Sequence, residues 1–294
     1  MTAARERFID RAGVRFALLS LPGVIFLLVF VLIPILTIVV FSFWRTESYE
    51  IYADWNLENY RVILTERTYL VFLGRSLLTA TLVTLGSLVV SWPVAYFIAK
   101  HGGRYRLLLV VALAAPFFTG IILRVAALQT IMGPIGLVNM ALMNLGLEPI
   151  RALMYTKVAA GIGTGYLYLP FVVTAIYLSL VNFNFELLEV AKVNGARPWR
   201  AFVEITWPLN WIGTVIGVAL AFIPSLAESI TPRFLGGPNG ASFGMILGNQ
   251  FGSTGTWALG SAMGVLLFAV SFTVILVLFR SVSLRRSGFT GVTD

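Results

Sequence analysis

The 294 residues are 58% hydrophobic and only 12% charged, with a mean hydropathy of +0.89. Soluble domains carry about a quarter charged residues, so a water-soluble globule is excluded: it would have more apolar surface than it can hide. A net charge of +8 invites a nucleic-acid reading, but the bases sit between apolar runs rather than along one stripe, which excludes nucleic acid as a partner and points to a lipid bilayer.

A helix needs about 20 apolar residues to cross the hydrocarbon core. In chain order six stretches satisfy this: roughly 17–43, 75–99, 107–127, 155–181, 211–231 and 259–280. The expected class is therefore an all-α integral membrane protein with about six transmembrane helices. Residues 1–16 form a basic tail and 17–43 a first span, too long for a cleaved signal core and carrying Pro22 and Pro34, which membrane helices tolerate. A polar, aromatic segment follows over 44–74, where Asn56 is placed to cap a short helix. The 100–106 loop holds His101 among Lys100, Arg104 and Arg106, a setting for a solvated residue rather than a metal ligand. With no cysteine in the chain, neither disulfides nor thiolate metal sites are expected. Gly133, Pro134 and Gly136 interrupt 128–154, which reads as a re-entrant or interfacial hairpin. Residues 232–258, rich in glycine, read as an irregular loop with one short helix. Residues 282–294 form a second basic tail.

If six spans alternate, Arg5, Arg7, Arg11, Arg15, Lys100, Arg104, Arg106, Lys192, Arg197, Arg200, Arg280, Arg285 and Arg286 share one side. The other side has fewer bases, offset by Glu47, Glu50, Asp54, Glu58, Glu66, Glu148 and Glu228. The positive-inside rule makes the first side cytoplasmic, both termini included, and 44–74 external.

The most informative stretch is the cytoplasmic loop 184–208. Asn184 is placed to cap a helix whose first turn holds Glu186, with Lys192 near its end and Gly195 positioned to stop it in a left-handed conformation. Pro198 suits the first turn of a second short helix carrying Trp199, Phe202, Val203 and Thr206, with Pro208 expected to end it. Leu187, Leu188 and Ala191 make a small apolar face on the first helix. A helix so short needs a groove to lie in.

The pattern Glu189-x-Ala191-x-x-x-Gly195-Ala196, followed by Pro208-Leu209, resembles the EAA loop of binding-protein-dependent ABC importer permeases. It departs from that pattern at Val190, where a second alanine is usual, and at Trp207, where leucine is usual. The resemblance covers most of 17–281. The segments Ala115-Pro116-Phe117-Phe118-Thr119 with Arg124, Gly136 to Asn139, Gly165 to Phe171, Phe222 to Pro232 and Leu235 to Gly237 are similar to spermidine/putrescine-type permeases, the first of their two permease subunits most of all. The resemblance implies a type I ABC importer permease fold, with a core over 75–281 that holds five spans and the coupling loop. It implies that Leu187, Leu188, Glu189, Ala191, Gly195, Ala196 and Pro208 couple the chain to an ATPase. It also implies a heterodimer with a second related permease, two ATPase subunits and a periplasmic solute-binding protein, in a bacterial inner membrane. The chain has no glycine loop ending in Gly-Lys-Ser/Thr, so it is expected to be a non-catalytic transport subunit without a cofactor of its own, ATP and Mg²⁺ being held by the partner ATPase.

Two charges at membrane depth suggest function. Arg124 has three readings: it lines the pathway, pairs with Glu228, or snorkels to the external surface. Glu228, between Pro224 and Pro232, sits where broken helices line pathways. A carboxylate there suits a cationic amine, with Tyr166, Tyr168 and Trp257 offering cation–π surface. The solute implied by the resemblance is a polyamine or related amine. Arg233, standing where polyamine-type permeases commonly have an acid, favours instead an opine, phosphonate or amino-acid-like solute. A secondary transporter is the alternative class. It calls for an inverted repeat and ion-coupling residues at mid-bilayer, and the sequence offers two such charges and no visible repeat.

Overall fold

The structure is a computed structural model that describes residue 16, residues 19–150 and residues 153–290, with side chains described to residue 282. Arg5, Arg7, Arg11, Arg15 and the side chains of Arg285 and Arg286 lie outside the described residues, as do most of the 1–16 tail and the end of the 282–294 tail. The chain divides into two units, residues 1–63 with 250–266, and residues 64–249 with 267–294.

In the first unit, helix α1 (Leu19–Phe41) buries none of its apolar residues within the chain, the condition of a helix that needs lipid or a partner around it. Its turn over Leu28–Leu32 is π-helical, closed by the Ile33 N–H on the Leu28 carbonyl. Pro34 follows directly. Its ring excludes the carbonyl four residues back, and the wider turn moves that carbonyl aside. After α1 come two short antiparallel strands, β1 (Arg45–Glu47) and β2 (Glu50–Tyr52), paired Arg45 with Tyr52 and Glu47 with Glu50. The turn residues Ser48 and Tyr49 both have positive φ, 50° and 69°, the pattern of a type I′ hairpin turn. That turn normally announces itself as Asn-Gly. With Ser-Tyr in its place the hairpin is invisible in the sequence, and among the described residues it is the one sheet beside the helices. Helix α2 (Glu58–Thr65) starts as expected, with the Glu58 N–H on Asn56 Oδ1 at 3.0 Å. Asn59 then ties the end of α1 down, donating to the carbonyls of Ser42 and Trp44.

The second unit is built on three helices, α3 (Arg67–His101), α7 (Lys157–Leu180) and α10 (Trp211–Ala227). Their core gathers Trp92, Ala95 and Ile98 with Val172, Ile176 and Leu180, and Ala221 from α10. Small residues allow close approach: a Cβ on Gly217 would stand 3.1 Å from Val172 Cγ1. Between α3 and α7 lie α4 (Arg106–Ala114), α5 (Ile121–Met132) and α6 (Leu137–Asn144).

This region corrects one expected span. The stretch 107–127 is not a single helix: Pro116 opens a 3₁₀ turn over Ala115–Phe118, and Thr119 and Gly120 are extended, so the helix restarts at Ile121. The length able to cross a bilayer is Ile121–Asn144 instead, turning at Gly133–Gly136. A Cβ on Gly136 would lie 2.6 Å from the Ile131 carbonyl oxygen, which reserves that position for glycine.

Beyond α7 follow α8 (Glu186–Val193), α9 (Pro198–Leu209), α10, α11 (Ile230–Leu235), α12 (Phe243–Phe251) and α13 (Trp257–Thr290). Among the described residues five helices are long and apolar enough to cross a membrane, and six if α9 and α10, bent by 74°, count as one broken span.

Candidate functional site

Two places in the second unit collect the candidate residues. At the first, the chain leaves α10 at Ala227 and must start α11 at Ile230 with nothing ahead of it to accept the first N–H groups. Glu228 supplies the acceptor. Its backbone is extended, and its Oε1 takes the N–H groups of Ile230 at 2.9 Å and Thr231 at 3.1 Å. Its Oε2 takes the hydroxyl of Tyr168 from α7 at 2.7 Å. With 7% of its surface exposed, the carboxylate is buried and both its oxygens are occupied. Ser242 adds a hydrogen bond to the Glu228 carbonyl, and Gln129 of α5 donates to the Phe234 carbonyl of α11. Gly163 of α7 completes the seat, since a Cβ there would come 2.4 Å from Leu235 and 2.6 Å from Thr231. Gln129, Gly163 and Ser242 carry no sequence signal that separates them from other polar or small residues of a membrane helix.

Arg124 does not pair with Glu228. Its guanidinium stands over the Phe117 ring, 5.5 Å from the centroid. The ion pairs among the described residues are Arg45–Glu47, Arg61–Glu58 and Arg200–Glu204, and Arg124 is in none of them. Tyr166, two residues from Tyr168 and so on a different face of α7, is half exposed. Trp257 lies in the other unit, edge-on to Phe251 at the start of α13. Arg233 donates to Asn249 Oδ1 at 2.7 Å. A small cavity of about 30 Å³ beside Glu228 has Arg75, Lys157 and Ser225 among its lining residues. Among the described residues no three His, Asp or Glu side chains gather as a metal site would require.

The second place is the loop 184–208. Asn184 Oδ1 accepts the Glu186 N–H at 2.9 Å, starting α8. The helix ends in a Schellman motif: the Ala196 N–H reaches the Ala191 carbonyl, the Gly195 N–H reaches that of Lys192, and Gly195 has φ +81°. Leu188 and Glu189 line an apolar groove of about 1110 Å³ opposite Trp92, Phe97, Trp199 and Phe202. The face that α8 leaves open is formed by Leu187 (43% exposed), Val190 (60%) and Val193 (88%). Their i, i+3, i+6 spacing was available in the sequence, but the expected face of Leu187, Leu188 and Ala191 followed the neighbouring stripe; Leu188 and Ala191 are half buried.

Pro208 does not end α9, which runs to Leu209. Its turn over Phe202–Thr206 is π-helical, closed by the Trp207 N–H on the Phe202 carbonyl, and so accommodates the proline ring as the turn before Pro34 does. The break comes two residues later, at Asn210.

The chain matches no protein-family model. It is 31% identical over 271 residues to the spermidine/putrescine transport system permease protein PotB of Salmonella typhimurium (strain SL1344), covering 91% of this chain and 94% of that one. It is 32% identical over 258 residues to PotB of Escherichia coli (strain K12), covering 87% and 93%. Its fold is similar to that of a chain in the crystal structure of a bacterial ABC transporter that imports the acidic polysaccharide alginate, with a TM-score of 0.73 at 17% identity over 99% of this chain and 100% of that one. The helical bundle, the Schellman-capped loop and this likeness over nine-tenths of the chain make it a member of the ABC importer permease family that includes the spermidine/putrescine permeases.

Proposed function

We propose that the chain forms half of the translocation pathway of an ATP-driven importer in a bacterial inner membrane, with a second related permease as the other half. The loop 184–208 lies on the cytoplasmic side, both termini with it, and α8 docks on an ATPase subunit. ATP and Mg²⁺ are bound and hydrolysed there, and this chain is not itself an enzyme. A periplasmic binding protein delivers the solute. The observation that carries this reading is the open apolar face Leu187–Val190–Val193 on a helix of eight residues, which has too little length to be stable by itself and is fixed at its end by Gly195.

A polyamine or related amine is the solute this reading favours, supported by the names of the relatives. A second reading, an opine, phosphonate or amino-acid-like solute, is favoured by a specific arrangement: both oxygens of Glu228 are engaged, and the next charged residue along the chain is the base Arg233. Membrane vesicles holding the complete complex test both at once. Uptake of labelled spermidine that requires ATP and survives an ionophore supports the first reading. ATP-dependent uptake of a phosphonate or an opine but no amine replaces it with the second. Uptake that follows an ion gradient without ATP overturns the importer assignment in favour of a secondary transporter.

A further inference from the structure

We propose that Asn210 and Ser179 are positioning residues that carry the motion of the coupling arm into α7, so that α7 and α10 respond to the ATPase as one body. This rests on the coupling role given to α8 above. A bend of 74° across a single residue would be a free hinge if nothing held it, and a hinge would absorb arm motion before it reached the bundle. This bend is held on three sides. Asn210 is 2% exposed; its Nδ2 donates to the Thr206 carbonyl of α9 at 2.8 Å, and its Oδ1 accepts the Ser179 hydroxyl of α7 at 3.2 Å. Its own carbonyl accepts the N–H groups of Gly213 and Thr214, which begin α10. One side chain and its backbone thus join the end of the arm, the start of α10 and the last turn of α7.

The steric fit agrees with the hydrogen bonds. A Cβ on Gly213 would stand 2.5 Å from Ser179 Cβ and 3.1 Å from the Ala175 carbonyl oxygen, so α10 and α7 meet backbone to backbone beside the bend. From Ser179 to Tyr168 is about 16 Å along α7, which continues as one helix through Pro170. Tyr168 holds Glu228, and Glu228 holds the start of α11. A displacement entering at Asn210 at the last turn of α7 is therefore delivered to the middle of that helix, where Tyr168 meets Glu228.

The absence of cysteine makes the test direct, because spin labels can be placed in pairs. In the complete complex with its ATPases and second permease, one pair at Lys192→Cys, exposed on α8 but outside the open face, and Val89→Cys reports α8 against α3. A second pair at Ile162→Cys and Leu78→Cys reports α7 against α3. All four side chains are exposed in this chain. Distances are measured with and without Mg-ATP. The expected result is that both distances change in the parent complex, while Ser179→Ala and Asn210→Ala keep the change at α8 and lose at least half of that at α7. The proposal is overturned if α7 moves as in the parent, or if both changes vanish together, which would make the contact a mere support for the arm's fold. No change at either pair in the parent complex means that the coupling role of α8 itself is wrong, and the proposal falls with it.

Discussion

The two ends of the α3–α7–α10 bundle are built on opposite terms. At Glu228 the polar groups are buried and spent: one carboxylate answers two backbone N–H groups and a tyrosine hydroxyl, and a glycine of α7 admits the next helix to van der Waals contact. At the coupling loop the backbone is as carefully capped, by Asn184 and by the Schellman turn at Gly195, but the side chains are left open. A buried charge with all its acceptors filled contributes to holding a structure together. An exposed apolar face on a well-capped helix contributes little until a partner covers it. The contrast separates a filled joint from a capped helix whose apolar face is left open.

Substitutions should divide along that line. Glu228→Ala should have the largest effect on stability, because it leaves two N–H groups and the Tyr168 hydroxyl unpaired; we expect a loss of about 3 kcal/mol, seen as a lower apparent unfolding temperature of the purified complex. Tyr168→Phe, which removes one hydrogen bond to a charged group and leaves the other two, should cost about 2 kcal/mol in the same measurement. Gly195→Ala forces a side chain into the left-handed region and should cost about 1 kcal/mol, with weakened ATPase association as the more sensitive readout. Arg200→Ala breaks a solvent-exposed pair with Glu204 and should change stability by about 0.3 kcal/mol, within the error of most unfolding assays. A Glu228→Ala complex as stable as the parent would dissolve the distinction drawn between the two ends.

Much of the backbone of loop 184–208 was legible in the sequence because its determinants are local. Asn184, Gly195 and Pro198 act on residues two to five positions away, and turn chemistry at that range follows from residue type. The bundle helices were legible for a similar reason, each being a long apolar run. What escaped depends on partners distant in sequence. In the sequence Glu228 is a carboxylate at membrane depth suited to Arg124 or to a cationic amine, and only the fold shows Tyr168, sixty positions earlier, donating to it. Asn210 is an ordinary loop asparagine until α7 brings Ser179 to it. The hairpin at 45–52 was hidden because Ser48 and Tyr49 are poor indicators of positive φ, and the third span was misplaced because a single proline, Pro116, hardly lowers the mean hydropathy of a long apolar run while backbone geometry treats it as a break.

The central claim, that α8 is the element on which the ATPase docks, is tested most directly by Val190→Asp, which places a charge in the middle of the open face without touching either cap. The account predicts that the variant inserts and unfolds at the parent's temperature yet no longer retains the ATPase subunits on purification. ATPase retained at the parent's level would contradict it.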